Sequence, residues 1–281
     1  MRFLAVFFSL LVGLAQPAAA ASSPHLQSLE QQVAALVAHN AGNVGIAALD
    51  LKTGEYVAVH GDTPFPMAST VKIAVAANYL SQVEHGRRSL DDKISGRSAR
   101  SLIEAMMIRS DNQATDILIR DLGGPATLQK WVEQHDIKGL RIDRNIAGLL
   151  SAKRDLWDVR DSSTPRAMVD LLYRIETGKL LRPQSRSYLL DVMARCKTGR
   201  NRMKALLPAS ARLQHKTGTL SNYASDVGYM TLPNGRRVAI AIFARQGTNR
   251  PNVIARTARA IYDGFTRVAS APFSTAAFGA N

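Results

Sequence analysis

Lys72 is an odd residue to find in an apolar helix. It follows Ser69 by three positions within MASTVKIAVA, residues 67–76. A buried ammonium is costly unless a partner uses or compensates it. Residues three apart share one helical face within side-chain reach. A serine and a nearby amine are the parts of an activated nucleophile: the amine takes the hydroxyl proton and the oxygen attacks. The N-terminus of a helix also favours the negative charge that develops on that oxygen. A single pair of this kind is expected by chance in a chain of 281 residues. Two further groups raise it above chance: Ser110-Asp111-Asn112, and Lys216-Thr217-Gly218 followed by Thr219.

These groups need elements to hold them. HLQSLEQQVAALVAHN (25–40) has helical apolar spacing, and NVGIAALDL and EYVAVH form a strand hairpin around Lys52-Thr53-Gly54. After the DTPFP loop, Ser69 opens a helix. SARSLIEAMMIR (98–109) is helical, Ser110 to Asn112 interrupt it, and QATDILIRDLG continues to a glycine stop. Residues 141–161 lose periodicity and read as a long loop, whereas TPRAMVDLLYRIETG is a helix with proline near its start and glycine at its end. ARLQHKTGTLSN, ASDVGYMTL and RVAIAIFAR read as three strands, and residues 251–268 as a closing helix. Strands at both ends and helices between them predict an α/β chain of the α+β type. Its antiparallel sheet is built from both termini (about 21–66 and 208–268), with flanking helices and an inserted helical lobe (about 67–207). The small-residue tail 269–281 is expected to be disordered.

Met1 and Arg2 precede an apolar run and then QPAAAAS, which is the pattern of a secretory signal peptide cleaved after Ala20. The run is too short to span a membrane comfortably, and nothing later is long and apolar enough. The mature chain is thus expected to be periplasmic or secreted, without a transmembrane anchor, and monomeric. Its one cysteine, Cys196, allows no internal disulfide and reads as a buried small residue. One cysteine, six scattered histidines and no HExxH motif support neither a metal nor another cofactor. The formal charge of +14 is spread from Arg87 to Arg237 without aromatic interleaving, so it points to no specific nucleic-acid partner.

The three groups, in this order and context, resemble the class A β-lactamase family of penicillin-recognising serine hydrolases. The likeness extends to MMIRSDNQATDILI, to LRIDR and VRDSSTPRAM, and to MARCKTGRNRMKALLP followed by HKTGT. It covers the chain up to Val268 and implies that family's fold and a β-lactam or D-alanyl-D-alanine-type substrate. The residue types fit such chemistry. Ser69 is the nucleophile, and Lys72, desolvated beside Lys216, is its base. Ser110 passes a proton between Lys216 and the leaving nitrogen. Asn112 holds an acylamino group, and Thr217 and Thr219 donate to a carboxylate. Gly218 leaves room for substrate along the strand. By resemblance, the N–H groups of Ser69 and Thr219 form the oxyanion hole. Lys197-Thr198-Gly199 repeats the lysine triplet but precedes a helix, and matches the family's TGxxR turn instead.

The likeness fails at one catalytic position. In that family the long loop carries a glutamate that activates water against the acyl-enzyme; here Ile146 occupies the place, and residues 145–160 contain no glutamate. Leu150 replaces a supporting asparagine, and the loop is about two residues longer. Asp116, Asp155 and Asp158 are the nearby carboxylates that offer a substitute. No arginine lies between Thr219 and Asn234 to clamp a substrate carboxylate. Three readings remain open: a β-lactamase with slow deacylation, a penicillin-binding DD-peptidase, and a module that is acylated without turnover. As for export, the intact mass of protein recovered from periplasm or medium should begin at Ala21; a mass retaining residues 1–20 would refute it.

Overall fold

The computed structural model describes residues 24–38, 43–152 and 155–270. The leader read in residues 1–20 and the tail beyond residue 270 lie outside them. The strands are β1 (Asn43–Asp50), β2 (Tyr56–Val59), β3 (Phe65–Pro66), β4 (Lys93–Ile94), β5 (Arg97–Ser98), β6 (Ser162–Ser163), β7 (Arg212–Leu220), β8 (Tyr223–Thr231) and β9 (Arg237–Arg245). The α-helices are α1 (Pro24–Ala38), α2 (Lys72–Glu84), α3 (Ala99–Ile108), α4 (Asn112–Asp121), α5 (Pro125–Gln134), α6 (Ile146–Ser151), α7 (Pro165–Glu176), α8 (Pro183–Ala194) and α9 (Arg250–Ser270).

Five strands form one antiparallel sheet in the order β2-β1-β9-β8-β7, so the first strand of the chain pairs with the last. β9 shows why the sheet is buried on both faces. Its alternation sends Val238, Ile240 and Ile242 toward Leu29 and Val33 of α1 and Ile254 and Ile261 of α9. Ala239, Ala241 and Phe243 point the other way, into the core shared with α2, α3, α4 and α7. Strand β7 ends the sheet, leaving one edge open beside the helices.

Two expectations change. α9 continues to Ser270, two residues into the stretch expected to be disordered. The long loop contains a helix, α6, whose first turn is capped twice. Asn145 accepts from Gly148 N–H at 2.8 Å, and Asp116 accepts from the N–H groups of Ile146 at 2.7 Å and Ala147 at 2.9 Å. Six residues are too few for periodicity to register.

The loop is closed by charge. Asp161 accepts from Arg144 Nε at 2.6 Å and from the backbone N–H groups of Asp143 and Arg144, while Asp143 accepts from Asp161 N–H. Its outgoing leg is pinned by Arg245 at the end of β9. That buried guanidinium lies between the rings of Phe65 and Trp157 and donates to the carbonyls of Pro64 and Leu156. Asp161→Ala would leave Arg144, in a largely buried site, only the 3.7 Å contact with Asp158, and loss of one buried partner typically costs about 3–5 kcal/mol. Thermal unfolding should fall by roughly 10 °C, and proteolysis should begin in residues 141–161. An unchanged melting temperature would show that the ion pair does not hold the loop.

Candidate active site

Ser69 lies in a short 3₁₀ turn, Ala68–Val71, that feeds α2. Side chains three apart eclipse in a 3₁₀ turn. The N–H of Lys72 donates to the carbonyl of Ser69, so the two side chains stand on one face. The residue before the serine is held in an unusual conformation: Ala68 has φ +48° although it is not glycine. Such a residue costs of order 1–3 kcal/mol and persists only when its surroundings fix it. Met67 N–H donates to Asp161 O, both Thr70 N–H and Thr70 Oγ1 donate to Met67 O, and the Tyr223 hydroxyl donates to Pro66 O.

Ser110 is the meeting point of two buried amines. It ends the α3 segment with φ +60°, and Asp111 then caps α4 by accepting from Ala114 N–H. Lys72 Nζ reaches Ser110 Oγ at 3.1 Å, Ser110 O at 2.8 Å and Asn112 Oδ1 at 2.7 Å. From the sheet side, Lys216 Nζ reaches the same Oγ at 2.9 Å and Thr217 O at 2.8 Å. Both lysines are fully buried. Burial, and then the charge of Lys216, pulls Lys72 down to about 7, against the opposing pull of Asp111 and Asp116. Burial brings Lys216 down to about 8, with Cys196 and Asp226 opposing. Two cations around one hydroxyl are unfavourable, and this order makes Lys72 the amine that gives up its proton first.

The remaining predicted residues of β7 gather on the same edge. Gly218 is glycine because the strand packs on the serine turn: a Cβ there would lie 2.8 Å from Met67 O and 2.5 Å from Ser225 Oγ. The space is filled by protein, which differs from the expected vacancy for substrate. Thr217 is only 4 % exposed, and its hydroxyl shares a 2.6 Å hydrogen bond with Thr198. Thr219 is exposed and accepts from Arg202 Nη2 at 2.6 Å.

Arg202 was not found by sequence reasoning, which sought an arginine only between Thr219 and Asn234. It comes from the turn after Gly199, and its Nη1 donates to Gly218 O and Ser225 O. The signal was its position four residues after Thr198, in the TGxxR segment. His215 does pair with an acid, Asp226, at 2.7 Å. Adjacent strand residues face opposite ways, so this pair lies across the strand from Lys216 and away from Ser69. Cys196 is partly buried, where full burial was expected.

Two of the three substitutes for the missing glutamate are engaged elsewhere. Asp116 spends both oxygens on the start of α6. Hydrogen bonds from Arg160, followed by its charge and that of Arg144, hold the Asp158 carboxyl near 2 against a weak burial effect. Asp155 is exposed and accepts from Trp157 N–H. The Ile146 side chain is in the apolar core, 5 % exposed.

Comparison with known proteins bears on what this edge is. The family model described as "Beta-lactamase enzyme family" matches residues 28–265. The chain belongs to that family. It is similar to a carbapenem-hydrolyzing beta-lactamase KPC of Klebsiella oxytoca, 29% identical over 91% of this chain and 95% of that protein. A beta-lactamase of Bacteroides uniformis is 27% identical over 92% of this chain and 98% of its own length. Among solved structures, a variant of the last common ancestor of Gram-negative bacteria beta-lactamase class A is 32% identical. It superposes with a TM-score of 0.80 over 86% of this chain and 99% of its own. The class A fold expected from the motifs is therefore the fold of this chain, and the protein is a class A β-lactamase-type hydrolase by family.

A base must be neutral to accept a proton, so acylation should strengthen as pH rises through the Lys72 value. Pre-steady-state acylation by a chromogenic β-lactam should climb from pH 6 with a midpoint near 7. It should decline above about 8 as Lys216 loses its charge. A flat profile from pH 6 to 9 would remove Lys72 as the base.

Proposed function

We propose that the protein is an exported serine hydrolase that acylates Ser69 with β-lactams and releases the product slowly. The observation that carries this reading is the chain of contacts from Lys72 through Ser110 Oγ to Lys216, beside the strained turn of Ser69. Neutral Lys72 takes the Ser69 proton as Oγ attacks the lactam carbonyl. The oxyanion is held by the N–H groups of Ser69 and Thr219, normally the largest catalytic contribution. As the C–N bond breaks, the proton passes from Lys72 through Ser110 Oγ to the leaving nitrogen, with Lys216 holding that hydroxyl. Thr219, Thr217 and Arg202 receive the substrate carboxylate, and the exposed Asn112 receives the acylamino group.

Deacylation needs a base for water; of the three carboxylates nominated for it, Asp116 has both oxygens on α6, Asp158 is held by Arg160, and Asp155 is exposed and bonded to Trp157 N–H. A positioned general base typically contributes about 10²–10⁴ in rate, so hydrolysis of the Ser69 ester should lag by about 3–5 kcal/mol in barrier. That same absence favours a second reading, a penicillin-binding DD-peptidase acting on D-alanyl-D-alanine ends, since such enzymes do not use that glutamate. A labelled-penicillin time course separates the readings. We expect stoichiometric labelling that Ser69→Ala abolishes, then a burst and a slow steady state of β-lactam hydrolysis. Hydrolysis of a D-alanyl-D-alanine peptide with no β-lactam steady state would favour the peptidase, and turnover of neither a permanently acylated module. Undiminished labelling of Ser69→Ala would overturn the serine assignment. Rapid, burst-free hydrolysis would overturn slow deacylation.

A further inference from the structure

Behind the lysine triplet lies a second group of reactive side chains, which the proposed hydrolase chemistry does not use. Cys196, His215 and Asp226 come from three segments: the turn after α8, β7 and β8. Asp226 is fully buried and accepts from His215 Nδ1 at 2.7 Å, while its other oxygen accepts from Met203 N–H. His215 and Cys196 line the wall of one cavity, where the charge of the ring acts on the thiol. This is the order acid, imidazole, sulfur, in which the acid orients and charges the ring and the ring holds a thiolate.

The sulfur is also reachable. A cavity of about 830 Å³ opens between α8 and the first half of β7, and Cys196 and His215 form part of its wall. That size falls within the range of small-molecule sites. Lys204 and Arg212 on its rim are exposed cations, whereas the one acid there, Asp191, is paired with Arg195 on its own helix. The cavity therefore suits an anionic guest.

We propose that Cys196 is a thiol-exchange site that reacts with small, anionic disulfides. The Cys196 thiolate attacks one sulfur of the disulfide. A new S–S bond forms to Sγ as the old one breaks, and the second sulfur leaves with the electron pair as a thiolate and takes a proton from water. The Cys196 sulfur is oxidised, the departing sulfur is reduced, and the imidazolium of His215 keeps its proton.

The surroundings agree with this chemistry. Burial alone would raise the thiol, but His215, with help from Thr198 and Lys216, outweighs it and brings Cys196 to about 7. Burial would lower His215, but Asp226 and Cys196 outweigh it and hold the ring charged up to about 10.

The site touches the hydrolase edge through one residue. Thr198 Oγ1 lies 3.3 Å from Cys196 Sγ and 2.6 Å from Thr217 Oγ1. Gly199, at φ +72°, packs so closely that a Cβ would meet Thr217 Cγ2 at 2.4 Å. An adduct on Cys196 displaces Thr198 and loosens Thr217. This consequence rests on the reading that Thr217 serves a β-lactam carboxylate; the thiol chemistry does not.

The test treats the folded full chain with oxidised glutathione and follows intact mass from pH 6 to 9. One glutathionyl group should be gained, none in Cys196→Ser, and the rate midpoint should lie near 7, against about 8.5 for an ordinary thiol. His215→Asn, if folded, should move the midpoint above 8. Cationic cystamine should react several-fold more slowly than oxidised glutathione. A wild-type midpoint of 8.5, equal to that of the urea-unfolded chain, would overturn the proposal without any variant. Equal rates for the two disulfides would overturn its anionic preference. In the adduct, KM for a penicillin should rise several-fold and recover with dithiothreitol. Adduct formation with unchanged KM would refute the link through Thr198 and leave the exchange site standing.

Discussion

Two ammonium groups withdrawn from water around a single hydroxyl set the terms for the rest of this molecule. Among the described residues neither Lys72 nor Lys216 has a carboxylate in contact; their partners are Ser110, Asn112 and main-chain carbonyls. Charge without a counter-ion in a dry site is tolerable only if one proton is given up readily. This is the condition that makes an amine a base near neutrality. The architecture serves that condition: α2 brings one lysine, the open edge of the sheet brings the other, and the break between α3 and α4 places the hydroxyl between them. Gly218 lets strand and serine turn close to contact, which no other residue permits.

The long loop applies a different economy. Its closing pair, its cap from Asp116 and its anchor on Arg245 consume the charges that water activation would need. In place of a carboxylate the loop offers Ile146 to the core and leaves Leu150 and Trp157 about half exposed. A loop so arranged is a wall more than a participant.

The chemistry was more legible in the sequence than the contacts. Ser69, Lys72, Ser110 and Lys216 could be picked out because their types and local settings are demanded by the reaction, whatever the fold. Strands β1, β2 and β7 to β9 were legible from apolar runs with turn residues between them. Helices α5 and α8 were not singled out, although Pro125 and Pro183 stand at the first helical position of each. Arg202 and the Cys196–His215 contact escaped for a common reason. Each depends on how the turn after α8 lies across β7, a relation between distant segments that no local pattern encodes.

The pairing of β1 with β9 has a kinetic meaning. Val44 meets Ala244, so the first strand waits for the last before its ladder is complete. Contacts so far apart in sequence carry a large loop-closure entropy and slow the folding step that forms them. Arg245, which fastens the outgoing leg of the long loop, arrives on that same final strand. The serine turn, wedged between the loop and the β7 edge, thus reaches its strained shape only at the end of folding. A nascent or truncated chain without β7 to β9 lacks Lys216 and the strand that packs on the serine turn. If the chain is exported as proposed, it crosses the membrane before its serine turn is assembled.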